Sequence, residues 1–306
     1  MTKIFDPHIN NDQLNSCKIT LIKKSLLFFC LSIFLTAPHL FSQPEISQPD
    51  ELNPLAKMLF ENRPDSVKFQ INGRVEDLIH AHLAHTNSVA GLFDTLSFLK
   101  SLISENGKFR IVTWAFPVSN GSFHYSGVVQ VFGNRGSKDT LIRLHHKMGE
   151  DDLFKTFVPS EWPGAVYYDL IERKYRQSTT YTLLGWMGAE TGKAKRVVEI
   201  LDLDNEDQVR FGAPKFMMGP GETQSRVVFE YTDQVPFHLK YENHSKPGKK
   251  RKKEDMIVFN RLVGNNPQMG RMYKAKIPDY STFDGLIFEK GKWLLYRDLD
   301  LRMGTD

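Results

Sequence analysis

The chain has 306 residues, 41% of them hydrophobic, a formal net charge of +4 and two cysteines. That length supports a sizeable core without crosslinks, and because Cys17 and Cys30 both sit in a leader-like stretch, disulfides, thiol catalysis and cysteine-ligated metals are excluded from the remainder. The pI of 8.8 reflects two short segments, a net +2 over residues 1–42 and +6 from Lys246, Lys249, Lys250, Arg251, Lys252 and Lys253, which leaves no basic body for nucleic acid.

Lys23 and Lys24 precede an apolar run, Leu26-Leu27-Phe28-Phe29-Cys30-Leu31-Ser32-Ile33-Phe34-Leu35, which ends near Pro38 and leads to Ser42-Gln43. This order predicts a secretory signal peptide with a long n-region over residues 1–42, cut after Ser42, and an exported protein of the periplasm, outer cell surface or extracellular space. The run is about half the roughly 20 residues that cross a bilayer, and no later segment approaches that length, so no transmembrane span is expected in the mature chain. Bulky Phe29 before Cys30 argues against a lipid-acceptor box.

Residues 43–53 read as a polar, proline-punctuated tether, and residues 54–95 as a short helical segment. Leu55, Met58 and Leu59 recur at helical spacing up to Asn62-Arg63-Pro64, and Leu78, Ile79, His82 and Leu83 mark a second helix over residues 75–84. Beyond Leu96 the period shifts to two. Asn106-Gly107 marks a hairpin turn, and strand patterns fall at residues 98–104, 109–114, 123–132, 140–147, 166–175, 180–186, 196–203, 209–211, 226–231, 237–241, 256–262, 285–288 and 293–301. Their links are too short for crossover helices, so residues 96–306 are expected to form an antiparallel meander. The predicted fold is mainly β, closing as a barrel or two-sheet sandwich, with a small propeller-like arrangement as the alternative.

Four segments carry a resemblance. They are Ser104-Glu105-Asn106-Gly107-Lys108-Phe109-Arg110-Ile111-Val112-Thr113-Trp114, Tyr181-Thr182-Leu183-Leu184-Gly185-Trp186, Val228-Phe229-Glu230-Tyr231, and Tyr280-Ser281-Thr282-Phe283-Asp284-Gly285 leading to Gly291-Lys292-Trp293. In this order, over roughly residues 91–303, the chain resembles a family of uncharacterised exported bacterial proteins, departing from its pattern at Glu105, Asn106 and Phe283. The resemblance implies an exported protein and carries no activity, cofactor or site residue.

No complete catalytic motif is present. Asp298 and Asp300, at i and i+2 of one strand with Tyr296 and Arg302, stand roughly 7 Å apart, the spacing of glycosidase acid/base pairs, with Arg297 and Arg302 at hand to neutralise them. Leu299, Leu301 and Met303 are assigned to the opposite face. His80, His82 and His85, with Asp77, fall short of a metal set, and adjacent His145 and His146 point to opposite faces. Asp202-Leu203-Asp204-Asn205-Glu206-Asp207 lacks the glycine and glutamate of a calcium loop, and Gly188-Ala189-Glu190-Thr191-Gly192-Lys193 reads as a hairpin turn with failed phosphate-loop spacing. No metal or cofactor is expected.

Two features suggest binding. Lys249, Lys250, Arg251, Lys252 and Lys253 form a basic hairpin tip suited to an anionic glycan, a lipid headgroup or an acidic protein; with no aromatic inside the run, nucleic acid is not expected. Trp162, between Ser160-Glu161 and Pro163-Gly164, is the aromatic expected to be exposed, whereas Trp114, Trp186 and Trp293 are assigned to strand packing. The expected function is therefore a non-catalytic exported binding or scaffolding protein of the cell envelope, with a carboxylate-dependent hydrolase of extracellular polysaccharide as the alternative.

Overall fold

The computed structural model describes residues 48–85, 93, 96–133, 137–149, 152–188, 192–204, 208–246, 249–264 and 276–299, with the backbone alone at 48–50, 85 and 249–252. The predicted leader with its two cysteines, residues 43–47 of the tether, and Asp300 lie outside the described residues.

Helix α1 spans Gln48–Phe60 and α2 spans Asp65–His85, separated at Pro64. Both start earlier than the apolar pattern predicted. Residues 48–53 belong to α1 and not to a tether, with Pro54 inside the helix. The first half of α2 escaped notice because polar groups occupy its inward face. Buried Lys68 donates to Pro117 O at 2.8 Å, and buried Asn72 accepts from Trp114 Nε1 at 2.8 Å while donating to Ser126 Oγ at 2.9 Å. No helix among the described residues is long and apolar enough to cross a membrane.

The described residues contain fifteen strands in three sheets, numbered in chain order. The first sheet is β1 (Leu99–Ile103), β2 (Phe109–Pro117), β3 (Phe123–Val131) and β4 (Thr140–His145), an antiparallel meander. The second holds β5 (Val166–Tyr175), β6 (Ser178–Met187) and β7 (Lys193–Leu203), whose outer edge is shared by β8 (Val209–Phe211) and β11 (Arg226–Thr232). The third has the order β10 (Glu222–Gln224), β9 (Phe216–Gly219), β15 (Lys292–Leu299), β14 (Ile277–Glu289), β13 (Lys249–Val263), β12 (Leu239–Lys246), antiparallel except that β15 runs parallel to β9.

The mainly β fold expected from the sequence is thus present, and none of the three sheets closes into a barrel. Alternation along single strands explains how the sheets stack. On β2, Val112, Trp114 and Phe116 pack with Leu52, Leu59, Val75 and Ile79 of the helices, while Phe109, Ile111 and Ala115 face Leu183, Val197 and Leu201 of the second sheet. On β7, Val197 and Leu201 face the first sheet, while Ala194, Val198 and Ile200 meet Phe216, Ile257, Leu286 and Trp293 of the third. The order is helices, first sheet, second sheet, third sheet. Cover on both faces explains why β2 reads as a nearly unbroken apolar run, while β7 carries apolar residues for both faces mainly in Val197-Val198-Glu199-Ile200-Leu201. At roughly 25 cal/mol per Å2 of apolar surface, each such face contributes far more than any single polar contact.

Candidate functional site

The bulge in β5 prepares the site. Tyr167 pairs with Gly185 and Asp169 with Leu184, so Tyr168 is an extra residue that puts two consecutive side chains, Tyr168 and Asp169, on the face toward the third sheet. There they line a cleft of about 670 Å3 together with Arg196 of β7, residues 236–241 at the start of β12, Asn260 of β13, and Tyr280 and Phe283 of β14.

Each wall is fixed by hydrogen bonds. Tyr168 Oη donates to Leu239 O at 3.2 Å, joining the two sheets, and burial pushes this hydroxyl up to about 12, so it remains a donor. Asn260, fully buried, accepts from His238 N at 2.8 Å and donates through Nδ2 to Asp279 O at 3.1 Å. The His238 ring stands edge-on to Phe283 at 5.7 Å, with Nε2 3.4 Å from Glu242 Oε2. Tyr280 Oη donates to Pro236 O at 2.8 Å although the residue is 53% exposed.

The charges of the cleft are unevenly matched. Arg196 lies over the Tyr168 ring at 5.2 Å; its buried Nε has no hydrogen-bond partner, and no carboxylate of the described residues is within ion-pair distance. Lys240 is exposed at the same cleft and also has no ion pair among the described residues. Burial holds the Asp169 carboxyl above the ordinary range, opposed by a hydrogen bond from the Leu170 amide. Among the described residues lining the cleft, Asp169 is the one carboxylate and there is no serine, threonine or cysteine. A glycosidase-type pair needs two carboxyls about 5 to 9.5 Å apart, so this lining supplies recognition chemistry and half of an acid/base pair.

The residues nominated from sequence lie elsewhere. Asp298 occupies a bulge of β15 with φ 58°, where its amide donates to Asp284 Oδ1 at 3.0 Å and its carboxylate pairs with Arg261 at 2.9 Å. Among the described residues Arg261, and not Arg297, neutralises it, while Arg302 lies outside the described residues. The bulge also corrects the predicted face assignment, because Leu299 packs with Tyr296 against Met256 and Ile287 where strict alternation would separate them.

Trp162 is a second correction. It is fully buried after a single 3-10 turn at Pro159–Glu161, and its Nε1 donates to Tyr167 Oη at 3.0 Å. Proline and glycine neighbours mark an irregular backbone, and the first and second sheets close over it. The basic run is a third correction, since Lys249–Val263 forms one strand that continues the β12–β13 ladder up to Lys246 opposite Lys249. Lys253 is exposed; the side chains of Lys249, Lys250, Arg251 and Lys252 lie outside the described residues. Lys246 is engaged by Glu289 at 2.5 Å and Glu254 at 3.1 Å.

Among the described residues no group of three or more His, Cys, Asp or Glu side chains converges as a metal site. Asp77 pairs with Arg143 at 2.8 Å, and His82 packs edge-on to Phe93 at 5.5 Å. Asp204 accepts from the Gln208 amide at 2.9 Å, closing the acidic turn, while residues 205–207 lie outside the described residues. The Gly188 to Lys193 segment does join an antiparallel pair, β6 and β7, although residues 189–191 are outside the described residues.

Sequence reasoning missed a histidine pair. His124 of β3 and His146, just beyond β4, place their Nδ1 atoms 3.5 Å apart, and His146 Nδ1 accepts from the Tyr125 amide at 3.4 Å. Burial lowers His124 to about 4; burial, then the charge of His124, lowers His146 to about 4. No family model matches the chain, and no curated protein or solved structure matches it either.

Proposed function

We propose that this is a non-catalytic exported protein of the cell envelope that binds its ligand in the cleft between the second and third sheets. Tyr280 carries the reading: an aromatic ring that is largely exposed at the cleft, yet fixed by its hydrogen bond to Pro236 O, is a stacking platform already ordered in the free protein. The proposed address rests on Lys23 and Lys24 ahead of the apolar run, and the resemblance to exported bacterial proteins supports it. The basic hairpin offers a separate electrostatic contact to an anionic glycan, a lipid headgroup or an acidic protein.

A second reading draws on Asp169. A carboxyl whose protonation is favoured by burial suits a general acid, which supports a carboxylate-dependent hydrolase of extracellular polysaccharide. A polysaccharide array probed with the purified protein, with released reducing ends monitored alongside, separates the two. Retention that is lost in Tyr280→Ala, without product, is the expected result. Product formation abolished by Asp169→Asn would replace binding with hydrolysis.

A further inference from the structure

Arg196 is costly as it stands. A guanidinium partly removed from water needs anionic or carbonyl acceptors to recover its hydration, and here the buried Nε has none while the ring of Tyr168 covers one face. Its position is nevertheless well determined. It sits on β7 directly opposite Phe229 of β11 and Trp186 of β6, and the ring beneath it is held by the bond to Leu239 O. A planar five-donor cation, oriented and without an internal acceptor, is arranged to receive a carboxylate or sulfate from outside the protein. Tyr280 supplies an apolar ring face to the same cleft.

We infer that the cleft takes an acidic saccharide, with the anionic group on Arg196 and a sugar ring on Tyr280. This rests on the cleft being the ligand site. The saccharide is favoured over an acidic peptide because the exposed, oriented ring matches the apolar face of a pyranose, and the cleft's volume of about 670 Å3 admits a short oligosaccharide. The anionic group itself has two sources, a uronate carboxylate or a sulfate ester.

Calorimetry with three probes tests the inference: trigalacturonate, an alginate trisaccharide and a κ-carrageenan tetrasaccharide, which carries sulfate esters and no uronate. Each is paired with its neutralised counterpart, methyl-esterified or desulfated, and tetraglutamate serves as the peptide probe. At least one acidic saccharide is expected to bind tenfold or more tighter than its neutral form, and whether the uronates or the sulfated probe bind identifies the source of the anion. Arg196→Gln should remove that tenfold preference while leaving weak binding of the neutral form, and Arg196→Lys should recover part of it. Both variants leave the basic hairpin unchanged, so the loss reports on the cleft. Tyr280→Ala should weaken acidic and neutral forms alike. Should Arg196→Gln fail to fold, as judged by circular dichroism, Arg196→Met, which keeps the aliphatic stem and removes the charge, provides the same comparison. Equal binding of charged and neutral saccharides, or an unchanged preference in the Arg196 variants, overturns the assignment of the anion while leaving the cleft as the ligand site. Tighter binding of tetraglutamate than of every saccharide overturns the saccharide. Absence of binding by every probe overturns this inference together with the cleft reading.

Discussion

Glu199 and Arg226 face each other directly across β7 and β11, carboxylate 3.3 Å from guanidinium, and neither side chain reaches solvent. They lie in the core between the first and second sheets. Tyr167 Oη donates to Glu199 Oε2 at 2.6 Å, the Arg226 guanidinium sits over Phe157 at 5.4 Å, and Arg226 Nη1 and Glu199 Oε1 have no hydrogen-bond partner. Burial, followed by the charge of Glu199, raises the Tyr167 hydroxyl well above its ordinary range, so it remains a donor.

Desolvating two charges consumes most of what their attraction supplies, so the pair is expected to add little net stability to the fold. Arg226→Met should cost about 3 to 5 kcal/mol because it strands Glu199. Adding Glu199→Leu should recover most of that loss in urea denaturation. A double variant no more stable than the single one would show that the pair itself is strongly stabilising.

The two histidines set a pH dependence. Their folded values, about 4, lie below the ordinary value of 6.5, so between those limits the unfolded chain binds more protons and stability declines as pH falls. The contribution is fully present above about pH 6.5 and is lost as pH approaches about 4. Melting temperature measured at pH 7.5, 6.0 and 5.0 should decrease stepwise, by a few degrees in all. His124→Phe with His146→Phe should flatten that response; an equally steep decline in the double variant would assign it to other groups.

At Asp298 the charge and the backbone make opposite demands. The carboxylate is 74% exposed, so Asp298→Asn should cost less than about 1 kcal/mol, whereas Asp284→Asn, which disturbs the buried acceptor of Arg261, should cost about 2 to 3 kcal/mol. The left-handed φ of Asp298 makes Asp298→Val worse than Asp298→Gly by about 1 to 2 kcal/mol. Chemical denaturation of the four variants checks this order.

Replacing Lys249, Lys250, Arg251, Lys252 and Lys253 with glutamine should leave the melting temperature within a few degrees of the parent. Retention on anionic vesicles or a heparin matrix should fall in the variant. Retention of the parent should fall with added salt, as the Debye length shrinks from about 10 Å at 0.1 M to about 3 Å at 1 M. Equal retention of variant and parent would leave the run without a binding role.

Strands were legible wherever one side chain in two is apolar. Val166–Tyr175 and Val209–Phe211 match the sequence reading at both ends. The strand through Lys249–Lys253 was not legible, because consecutive like charges have no alternation and strands are poor in lysine. β9 and β10 were hidden by Met217-Met218-Gly219-Pro220-Gly221, where the apolar and turn signals overlap. A third sheet is a tertiary fact, and its clue, the doubly apolar β2 and β7, also fits a two-layer core. The cleft was harder still. Its residues come from distant segments, and Arg196 within Lys193-Ala194-Lys195-Arg196 reads as ordinary solvated charge until β7 is placed between two sheets.

The parallel pairing of β15 with β9 bears on how the protein folds. Trp293 lies beside Phe216, so about 75 residues must be threaded before these two strands meet, and until then the Lys215 carbonyl that accepts the Trp293 amide at 2.8 Å has no partner. The last described strand therefore joins two halves of a sheet, β9 with β10 on one side and β14 onward on the other. Synthesis from the amino end delivers this strand after the other fourteen described strands, leaving two sheet edges open until it arrives. The refolding rate is therefore expected to be set by the arrival of Trp293 beside Phe216.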